Sequence, residues 1–324
     1  MKKMLTIGFV RSEKLYEKRI AVLPCDIEKV IHKDCLYFEK GYAADFFISD
    51  EEYTRLGCHI VDKQEVLQQD IICDTKIGEA TYLNQLKDET TIFGWIHAAA
   101  NQNLTNMLVE KKMTCYAWED MYEDERHTFW ENNRIAGAGG VLNALQYCGF
   151  LAQGCQAAII GRGDTAMGAY QILSQLGANA RMYNREQEYL FKKELHEFDI
   201  IVMAVRWDTM HDDYLISIDD FHHIKKSAIV VDVSDDVDGA IQNSVSTTIK
   251  EAIYFREERM VYSVGNVPSI FFKTATQGIS KAIFSYFDSL IEQDNNEVLK
   301  QSLIIHHGEI IDKNISNYQN KNNI

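Results

Sequence analysis

The first 121 residues alternate between short apolar runs and amphipathic stretches. Six runs are predicted as strands: Leu5–Val10, Leu36–Glu39, His59–Val61, Ile71–Thr75, Ile92–His97 and Thr114–Trp118. Helical spacing of apolar residues occurs between them, at Asp26–His32, Gln64–Gln69 and Leu104–Lys111. Strands that alternate with helices predict a parallel sheet covered by helices. Because several runs are apolar at consecutive positions, these strands are expected to be buried on both faces.

A second alternation of the same kind begins at Gln156. Its predicted strands are Ala157–Ile160, Ala180–Tyr183, Ile200–Val205, Ala228–Val233 and Met260–Val264. A helix is predicted before it, from Thr128 to Cys148, and its glycine-rich stretch is expected to pack closely rather than form a loop, because apolar residues resume beyond it at helical spacing. After it, a helix is predicted from Thr274 to Glu292, and the polar tail from Asn314 to Ile324 is expected to fray.

These elements predict an α/β protein of two domains, each a parallel sheet flanked by helices. Residues 1–135 together with 275–324 are expected to form the substrate domain, which carries the catalytic residues. Residues 136–274 are expected to form a Rossmann dinucleotide-binding domain. A chain of 324 residues fits two domains at roughly 150 residues each.

Composition and charge exclude several classes of protein. The chain carries 33 Lys and Arg residues against 48 Asp and Glu, a net charge of −15. Nucleic acid and anionic membranes are disfavoured as partners, because both need a basic surface. No apolar run is long enough to span a bilayer, and Arg11 interrupts the N-terminal run before it reaches signal-peptide length. Seven cysteines without a CxxC pair favour free thiols over disulfides or a zinc site. The protein is therefore expected to be a cytoplasmic enzyme for small molecules, without a metal.

The most specific local motif is a glycine-rich turn between a predicted strand and a predicted helix. It reads Gly161-Arg162-Gly163-Asp164-Thr165-Ala166, and all six residues are predicted to bind a dinucleotide. Gly161 permits the tight turn, Gly163 lets the backbone approach a pyrophosphate, and Ala166 takes the third glycine position. The N-terminus of the following helix offers N–H groups to the phosphates.

The end of the next strand selects the cofactor. NAD sites place Asp or Glu there to bind the ribose 2′-hydroxyl, whereas this chain has Asn184 and Arg185. Arg185, helped by Arg162, is suited to a 2′-phosphate, so NADPH is predicted. Glu186 is the nearest acid, and it would restore NAD binding if the strand ended two residues later. Two further cofactor residues are predicted, Val205 and Asn266.

Four polar residues lie at or near strand ends, where open α/β sheets bind ligands. They are Arg19, Lys76, His97 and Asp236. Each also fits a plain structural role: a surface arginine, a solvated lysine, a capping or core histidine, and an acidic loop. By themselves, these residues leave their function open.

The order of these motifs resembles that of the alanine dehydrogenase superfamily, which includes lysine-forming saccharopine dehydrogenase and the nicotinamide nucleotide transhydrogenases. The resemblance is carried by Glu17–Pro24, Lys76, His97, Gly161–Gly168, Val231–Asp236 and Tyr262–Pro268. It implies that Arg19 and Lys76 bind the carboxylate and the carbonyl of pyruvate. It also implies that His97 is the general acid and base, and that Asp236, or the adjacent Asp235, is an accessory acid or base.

Two stretches, Asp74–Glu79 and Gly161–Gly168, are most similar to opine-forming members of this superfamily. The resemblance then implies an NADPH-dependent synthase that reductively condenses pyruvate with the side-chain amine of ornithine or lysine, giving N5-(1-carboxyethyl)ornithine or N6-(1-carboxyethyl)lysine. It also implies a homo-oligomer, a dimer or a tetramer. Asn184 and Arg185 in place of the NAD-binding acid, and Pro268-Ser269 in place of Pro-Gly, depart from alanine dehydrogenase.

Several alternatives remain open from the sequence. They are an alanine dehydrogenase that uses ammonia and NADH, a lysine-forming saccharopine dehydrogenase, a transhydrogenase-like subunit and an NADP-binding sensor. No motif identifies the amine substrate or the stereochemistry of the new centre.

Overall fold

The computed structural model describes residues 3–99, 101–205, 207, 213–234 and 239–322. The chain forms two compact units. Unit 1 comprises Met1–Phe129 and Phe272–Ile324, and unit 2 comprises Trp130–Phe271. The predicted Asp236 and its alternative Asp235 lie outside the described residues.

Both units are built from alternating strands and helices. The first segment of unit 1 contains β1 (Ile7–Phe9), α1 (Pro24–Ile27), β2 (Leu36–Glu39), α2 (Asp50–Arg55), β3 (His59–Val61), α3 (Lys63–Val66), β4 (Ile71–Cys73), β5 (Thr91–Gly94), α4 (Gln102–Glu110), β6 (Thr114–Ala117), β7 (Tyr122–Glu123) and β8 (Arg126–His127). Unit 2 contains α5 (Trp130–Ala144), β9 (Gln156–Ile160), α6 (Asp164–Gln175), β10 (Asn179–Tyr183), α7 (Glu188–Glu194), β11 (Ile200–Met203), α8 (Ile218–Phe221), β12 (Ile229–Asp232), β13 (Ile253–Arg256) and β14 (Arg259–Tyr262). The chain then returns to unit 1 with α9 (Phe272–Glu292), α10 (Glu297–Gln301), β15 (Leu303–His306), β16 (Glu309–Ile310) and α11 (Lys313–Asn322).

The main sheet of unit 1 reverses its strand order between β1 and β4. Its strands run in the order β16-β15-β6-β5-β4-β1-β2-β3, and β1 to β6 are parallel. β15 and β16 add an antiparallel edge. From β1 the chain proceeds to β2 and β3 on one side, and from β4 to β5 and β6 on the other. The carboxyl ends of β1 and β4 therefore border the crevice where such sheets bind ligands.

Helix α9 completes the core of unit 1. Its apolar face buries residues that include Ile279, Ile283 and Phe287. The ring of Phe287 lies edge-on to Phe9 of β1 with centroids 5.1 Å apart, and Phe9 stacks on Phe38 of β2 at 4.5 Å. The C-terminal return of the chain thus covers the sheet that the N-terminal segment forms.

The sheet of unit 2 reverses its strand order at β9. Its strands run in the order β10-β9-β11-β12-β14-β13, and only the edge strand β13 pairs antiparallel among these six. β11 and β12 are buried along their whole length, as expected of parallel strands covered on both faces. The carboxyl ends of β9 and β11 form the switch point of this sheet.

The predicted fold class is confirmed: both units are α/β, with largely parallel sheets flanked by helices. The predicted helix before the second sheet is present as α5, and the seven cysteines are free thiols. None of the helices within the described ranges combines the length and the apolar character that a membrane crossing requires.

Three hairpins were not predicted: β7–β8, β13–β14 and β15–β16. β13 joins β14 through Glu257 and Glu258, whose φ angles are 45° and 62°, and β15 joins β16 through His307 and Gly308. Two-residue turns with positive φ at both positions usually carry Asn-Gly or Asp-Gly. The Glu257-Glu258 pair is not typical of such a turn, so the turn residues did not indicate the β13–β14 hairpin.

Two helix predictions need correction. The helix predicted at Asp26–His32 is shorter and starts earlier, at Pro24, because proline is favoured in the first turn of a helix. The tail predicted to fray forms α11 instead. The Asp312 carboxylate accepts hydrogen bonds from the N–H groups of Asn314 and Ile315, and Ile315 is buried.

Candidate functional site

The glycine-rich turn of unit 2 is constrained at its first glycine. Gly161 has a φ of 124°, and a Cβ there would lie 2.3 Å from the carbonyl oxygen of Ala204, beyond β11. Its N–H donates to the carbonyl of Tyr183 at 2.9 Å. Only glycine fits this conformation and this distance. The turn is therefore held against the ends of both neighbouring strands.

Gly163 instead leaves the start of α6 open. It is the N-cap residue of α6, and a Cβ at this position would meet no heavy atom within 4 Å. The Asp164 carboxylate, in the first turn, lies 3.1 Å from Nε of Arg134 on α5. A helix N-terminus with open space before it suits a phosphate group, so this turn fits the pyrophosphate of a dinucleotide.

The crossing of α5 and α6 fixes the position of that helix. A Cβ on Gly137 would lie 1.8 Å from the carbonyl oxygen of Thr165, and a Cβ on Gly168 would lie 2.0 Å from the carbonyl oxygen of Arg134. The two backbones therefore touch. The glycine-rich stretch was predicted to be closely packed, and this is confirmed.

A cavity of about 330 Å³ opens beside the turn. Six predicted cofactor residues line it: Gly161, Arg162, Gly163, Asn184, Arg185 and Val205. Seven residues that were not predicted complete its walls: Ile160, Tyr183, Glu188, Phe191, Ala204, Trp207 and Leu215. The other predicted residues Asp164, Thr165, Ala166 and Asn266 are not part of its lining. Asn266 lies beyond β14 with a φ of 68°, and Ala166 is buried under the turn.

Two arginines and one acid determine the charge of this cavity. Arg162 and Arg185 line it, whereas Glu186, the acid that would favour NAD, does not. Glu188 does line it, but its carboxylate lies 3.3 Å from Nζ of Lys192 one helical turn later. Asn184 accepts a hydrogen bond from the N–H of Gln187 at 3.1 Å, which caps the turn after β10. The lining therefore holds more cationic than anionic side chains.

In unit 1, functional candidates follow the carboxyl ends of four adjacent strands. Arg19 lies in the segment after β1, Lys76 follows β4, and His97 follows β5. Glu119, which was not predicted, follows β6. Because parallel strands end at the same edge of a sheet, these residues come from one rim. We call them, with Lys14, Glu17 and Glu79, the unit 1 site.

Arg19 is held in a buried ion pair with Glu17. Its Nε and Nη2 lie 2.9 and 2.6 Å from the two carboxylate oxygens, and the side chains are 2% and 0% exposed. The guanidinium also lies over the ring of Trp95, 4.9 Å from its centroid. A bidentate pair of this kind fixes the orientation of the planar guanidinium.

The backbone after Arg19 is held by side chains rather than by a strand partner. The N–H of Ile20 donates to Oγ1 of Thr276 at 3.1 Å, and the N–H of Leu23 donates to Oγ of Ser280 at 2.9 Å. Both hydroxyls belong to α9. The C-terminal helix of unit 1 thereby positions the segment that carries Arg19.

Lys76 is largely buried among other charges. Its Nζ lies 3.7 Å from Oε1 of Glu79, and its side chain is 13% exposed. Burial and the positive charges of Lys14 and Arg19 lower its pKa to about 8. Its backbone N–H donates to Asp74, at 2.9 Å.

His97 adopts an uncommon backbone conformation, with a φ of 53°. Its N–H donates to the Glu119 carboxylate, which also accepts from the N–H of Ile96. Half of the His97 side chain is exposed, yet desolvation by the surrounding protein and the charge of Lys76 lower its pKa to about 4. The imidazole is therefore neutral at neutral pH and carries an acceptor nitrogen.

The structure thus groups three of the four predicted catalytic or substrate-binding residues in unit 1. Glu17 and Glu79 were not predicted as site residues, although they lie within the motifs Glu17–Pro24 and Asp74–Glu79. Glu119 was also missed, although it follows a strand end as Lys76 and His97 do. Within the described part of the chain, no group of three or more His, Cys, Asp or Glu residues is arranged to hold a metal ion.

Known proteins match this chain over most of its length. The models of the N-terminal and C-terminal domains of alanine dehydrogenase/PNT match residues 9–130 and 164–313. The N(5)-(carboxyethyl)ornithine synthase of Lactococcus lactis subsp. lactis (strain IL1403) is 28% identical over 295 residues, covering 86% of this chain and 94% of that protein. The synthase of the same name from Clostridium botulinum (strain Hall) is 25% identical, covering 86% of this chain and 92% of that protein.

A solved L-alanine dehydrogenase structure shares the fold. It superposes with a TM-score of 0.83 at 17% identity, covering 98% of this chain and 99% of that one. The two domain models together span most of the sequence. This chain therefore belongs to the alanine dehydrogenase/PNT family and is an oxidoreductase of that family with a nicotinamide cofactor.

Proposed function

We propose that the protein is an NADPH-dependent opine-type synthase that reductively condenses pyruvate with the side-chain amine of ornithine or lysine. The observation that carries the proposal is a buried Lys76 ammonium at the same rim of unit 1 as His97, whose neutral imidazole feels the Lys76 charge. The relatives named N(5)-(carboxyethyl)ornithine synthase support this choice of reaction. In this proposal unit 1 binds the substrates and unit 2 binds the cofactor.

Arg19 and Lys76 are assigned to the keto acid. Glu17 orients the guanidinium of Arg19 toward a planar carboxylate. Lys76 donates to the carbonyl oxygen, and its charge stabilises the negative charge that develops there when the amine attacks. Holding pyruvate by two groups also fixes the exposed face of the keto carbon.

His97 is assigned to proton transfer. The substrate ammonium must lose a proton before its nitrogen can attack, and His97 accepts protons from this nitrogen and passes them to the keto oxygen. The nitrogen loses two protons in all, and the oxygen gains these two and leaves as water when the imine forms. The cations that lower its pKa in the free protein are Lys76, Lys14 and Arg19. Pyruvate is an anion, so its binding offsets these charges and raises the basicity of His97 when the base is needed. Asp236, or Asp235, remains the proposed accessory acid or base.

The cofactor residues are assigned to unit 2, where six of them line the cavity. The turn from Gly161 to Ala166 would hold the pyrophosphate, and Arg162 and Arg185 would hold the 2′-phosphate. Asn184, Val205 and Asn266 complete the proposed cofactor site. When bound there, NADPH supplies the hydride that reduces the imine.

A substrate panel tests the reaction. We expect NADPH oxidation with pyruvate plus ornithine or lysine, and little with pyruvate plus ammonia. The product would be N5-(1-carboxyethyl)ornithine or N6-(1-carboxyethyl)lysine, identified by mass spectrometry. Turnover with ammonia and NADH alone would overturn the proposal in favour of an alanine dehydrogenase.

The cofactor assignment has its own test. Arg185→Ala is expected to raise the KM for NADPH at least about tenfold, because a charge-assisted contact to the 2′-phosphate is lost. The KM for NADH should change by less than about twofold. Arg181→Ala is the matched control, since Arg181 lies on the same strand but pairs with Glu194 and Glu197. Equal changes in the KM for NADPH and the KM for NADH would show that Arg185 does not bind the 2′-phosphate.

The proposed oligomeric state, a dimer or a tetramer, is tested by light scattering.

A further inference from the structure

Glu79 occupies a fixed position beside the keto-acid residues. It ends the short turn Ile77–Glu79 after β4, and its side chain is 43% exposed. A Cβ on the preceding Gly78 would lie 1.9 Å from the carbonyl oxygen of Ile96. The backbone that carries Glu79 is therefore pressed against the strand end that leads to His97.

The partner of Glu79 is itself an alkylamine. Nζ of Lys14 lies 2.7 Å from Oε1 of Glu79 and reaches it from the segment after β1. A lysine side chain ends in a primary ammonium on an unbranched chain of methylenes. The side-chain amines of ornithine and lysine are the same group. The structure thus shows that this carboxylate accepts a primary alkylammonium.

The same carboxylate oxygen lies next to the proposed reaction centre. It is 3.7 Å from Nζ of Lys76, which is assigned to the keto oxygen. Burial alone would raise the pKa of Glu79, but the Lys14 hydrogen bond and the charges of Lys76 and Lys14 lower it. Glu79 therefore stays ionised and attracts a cation at neutral pH. An amine held there is adjacent to a carbonyl held by Lys76.

We propose that Glu79 binds the side-chain ammonium of the second substrate, and that Lys14 competes with that ammonium for the same carboxylate. The inference rests on the proposed function and specifies its amine site. Exchange of one alkylammonium for another keeps the Glu79 carboxylate paired with a cation, and the displaced Lys14 ammonium turns to solvent. The site accordingly selects a primary amine on a flexible methylene chain.

The two members of this ion pair should respond in opposite directions. Glu79→Gln removes the charge and keeps the shape, and it is expected to weaken ornithine binding at least about tenfold. Lys14→Met removes the competitor and keeps the length of the side chain, and it is expected to strengthen ornithine binding about threefold or more. A pair with only a structural role would respond in the same direction in both variants.

Calorimetry separates this inference from the proposed function. Ornithine, and separately lysine, is titrated into the protein with NADP⁺ and pyruvate, where no reduction takes place. Lys40→Met and Asp62→Asn serve as controls, since they break an exposed pair of 2.9 Å in the same unit. Failure of the proposed function appears as no NADPH oxidation with any pyruvate and amine pair. The inference fails if neither amine binds, if Glu79→Gln binds ornithine within twofold of wild type, or if both variants shift affinity the same way.

Discussion

The protonation of Lys76 depends first on burial and then on the charges around it. Burial lowers its pKa most, Lys14 and Arg19 lower it further, and Glu79 and Glu17 act in the opposite direction. A lysine with a pKa of about 8 is still mostly charged at neutral pH, but it loses its proton over a range that experiments reach easily.

The activity should therefore fall on the alkaline side. If Lys76 donates to the keto oxygen, its protonated form is the active one, and this form is lost as pH rises through about 8. The expected result is a descending limb near that pH in a plot of kcat/KM for pyruvate. Lys14→Met removes a cation that lowers the pKa of Lys76, so the limb should move to higher pH. If the limb does not move in Lys14→Met, a group other than Lys76 causes it.

Arg19 and Glu17 present a different case, because both side chains are buried. Glu17→Gln leaves the guanidinium without the negative charge that balances it. Breaking a buried pair on one side typically costs about 3–5 kcal/mol in the free energy of unfolding. We expect a loss of this size, measured by urea denaturation. Asp62→Asn, at an exposed pair, should cost less than about 1 kcal/mol. If Glu17→Gln also lowered the free energy of unfolding by less than about 1 kcal/mol, the buried ion pair would not stabilise unit 1.

Lys76 and His97 were predictable because each follows an apolar strand. Their electrostatic surroundings were not predictable, since these depend on which strands are neighbours. β1, β4, β5 and β6 are separated in sequence, and their side-by-side order brings Lys14, Glu79 and Glu119 to the same rim. The order of strands in a sheet cannot be read directly from a single sequence.

At the scale of elements, the crossing of α5 and α6 sets where the cofactor turn lies. The glycines at the crossing and the glycines of the turn look alike in sequence, but their surroundings differ. Gly137 has a carbonyl oxygen where a Cβ would be, whereas Gly163 has open space. Two alanine substitutions should therefore have separate effects.

Gly137→Ala is expected to destabilise the protein by about 1–3 kcal/mol, because the helices must move apart. Gly163→Ala should change the free energy of unfolding by less than about 0.5 kcal/mol, since its Cβ meets nothing. The same Cβ occupies the approach of the pyrophosphate, so NADPH affinity should fall at least about tenfold. Urea denaturation and fluorescence titration measure the two quantities. Unchanged NADPH affinity in Gly163→Ala would contradict the assignment of this turn.

The elements predicted best were those with long apolar runs, such as β11 and β12. The elements missed were short antiparallel edges, and their turn residues gave no signal. Glu257 and Glu258 adopt positive φ without a glycine or an asparagine. The sequence pattern shows which residues are buried on both faces, but it shows edge pairing only when the turn has a typical composition.

At the scale of the whole molecule, the two units differ in whether they are formed by one continuous segment of the chain. Unit 2 is one uninterrupted segment, whereas unit 1 needs residues from both ends of the chain. The later part supplies α9, which buries its apolar face in the unit 1 core and accepts hydrogen bonds from Ile20 and Leu23.

A fragment of residues 130–271 is therefore expected to fold alone and to bind NADPH without catalysing the reaction. A fragment of residues 1–129 should not fold, because the loss of Ile279, Ile283 and Phe287 alone removes about 1.5–3 kcal/mol of burial free energy for each side chain. Circular dichroism, cooperative unfolding and NADPH fluorescence test the pair. A cooperatively folded 1–129 fragment would contradict the proposed importance of α9.

The position of α9 in the chain also sets an order of events during synthesis. Between Phe129 and the end of α9 at Glu292, a ribosome adds about 160 residues, which takes roughly 8–30 s at ordinary elongation rates. During this time all of unit 2 is synthesised, while the strands made first still lack their covering helix. The N-terminal half is therefore the first to be made and the last to be finished, and it is the part of the nascent chain that we expect chaperones to bind.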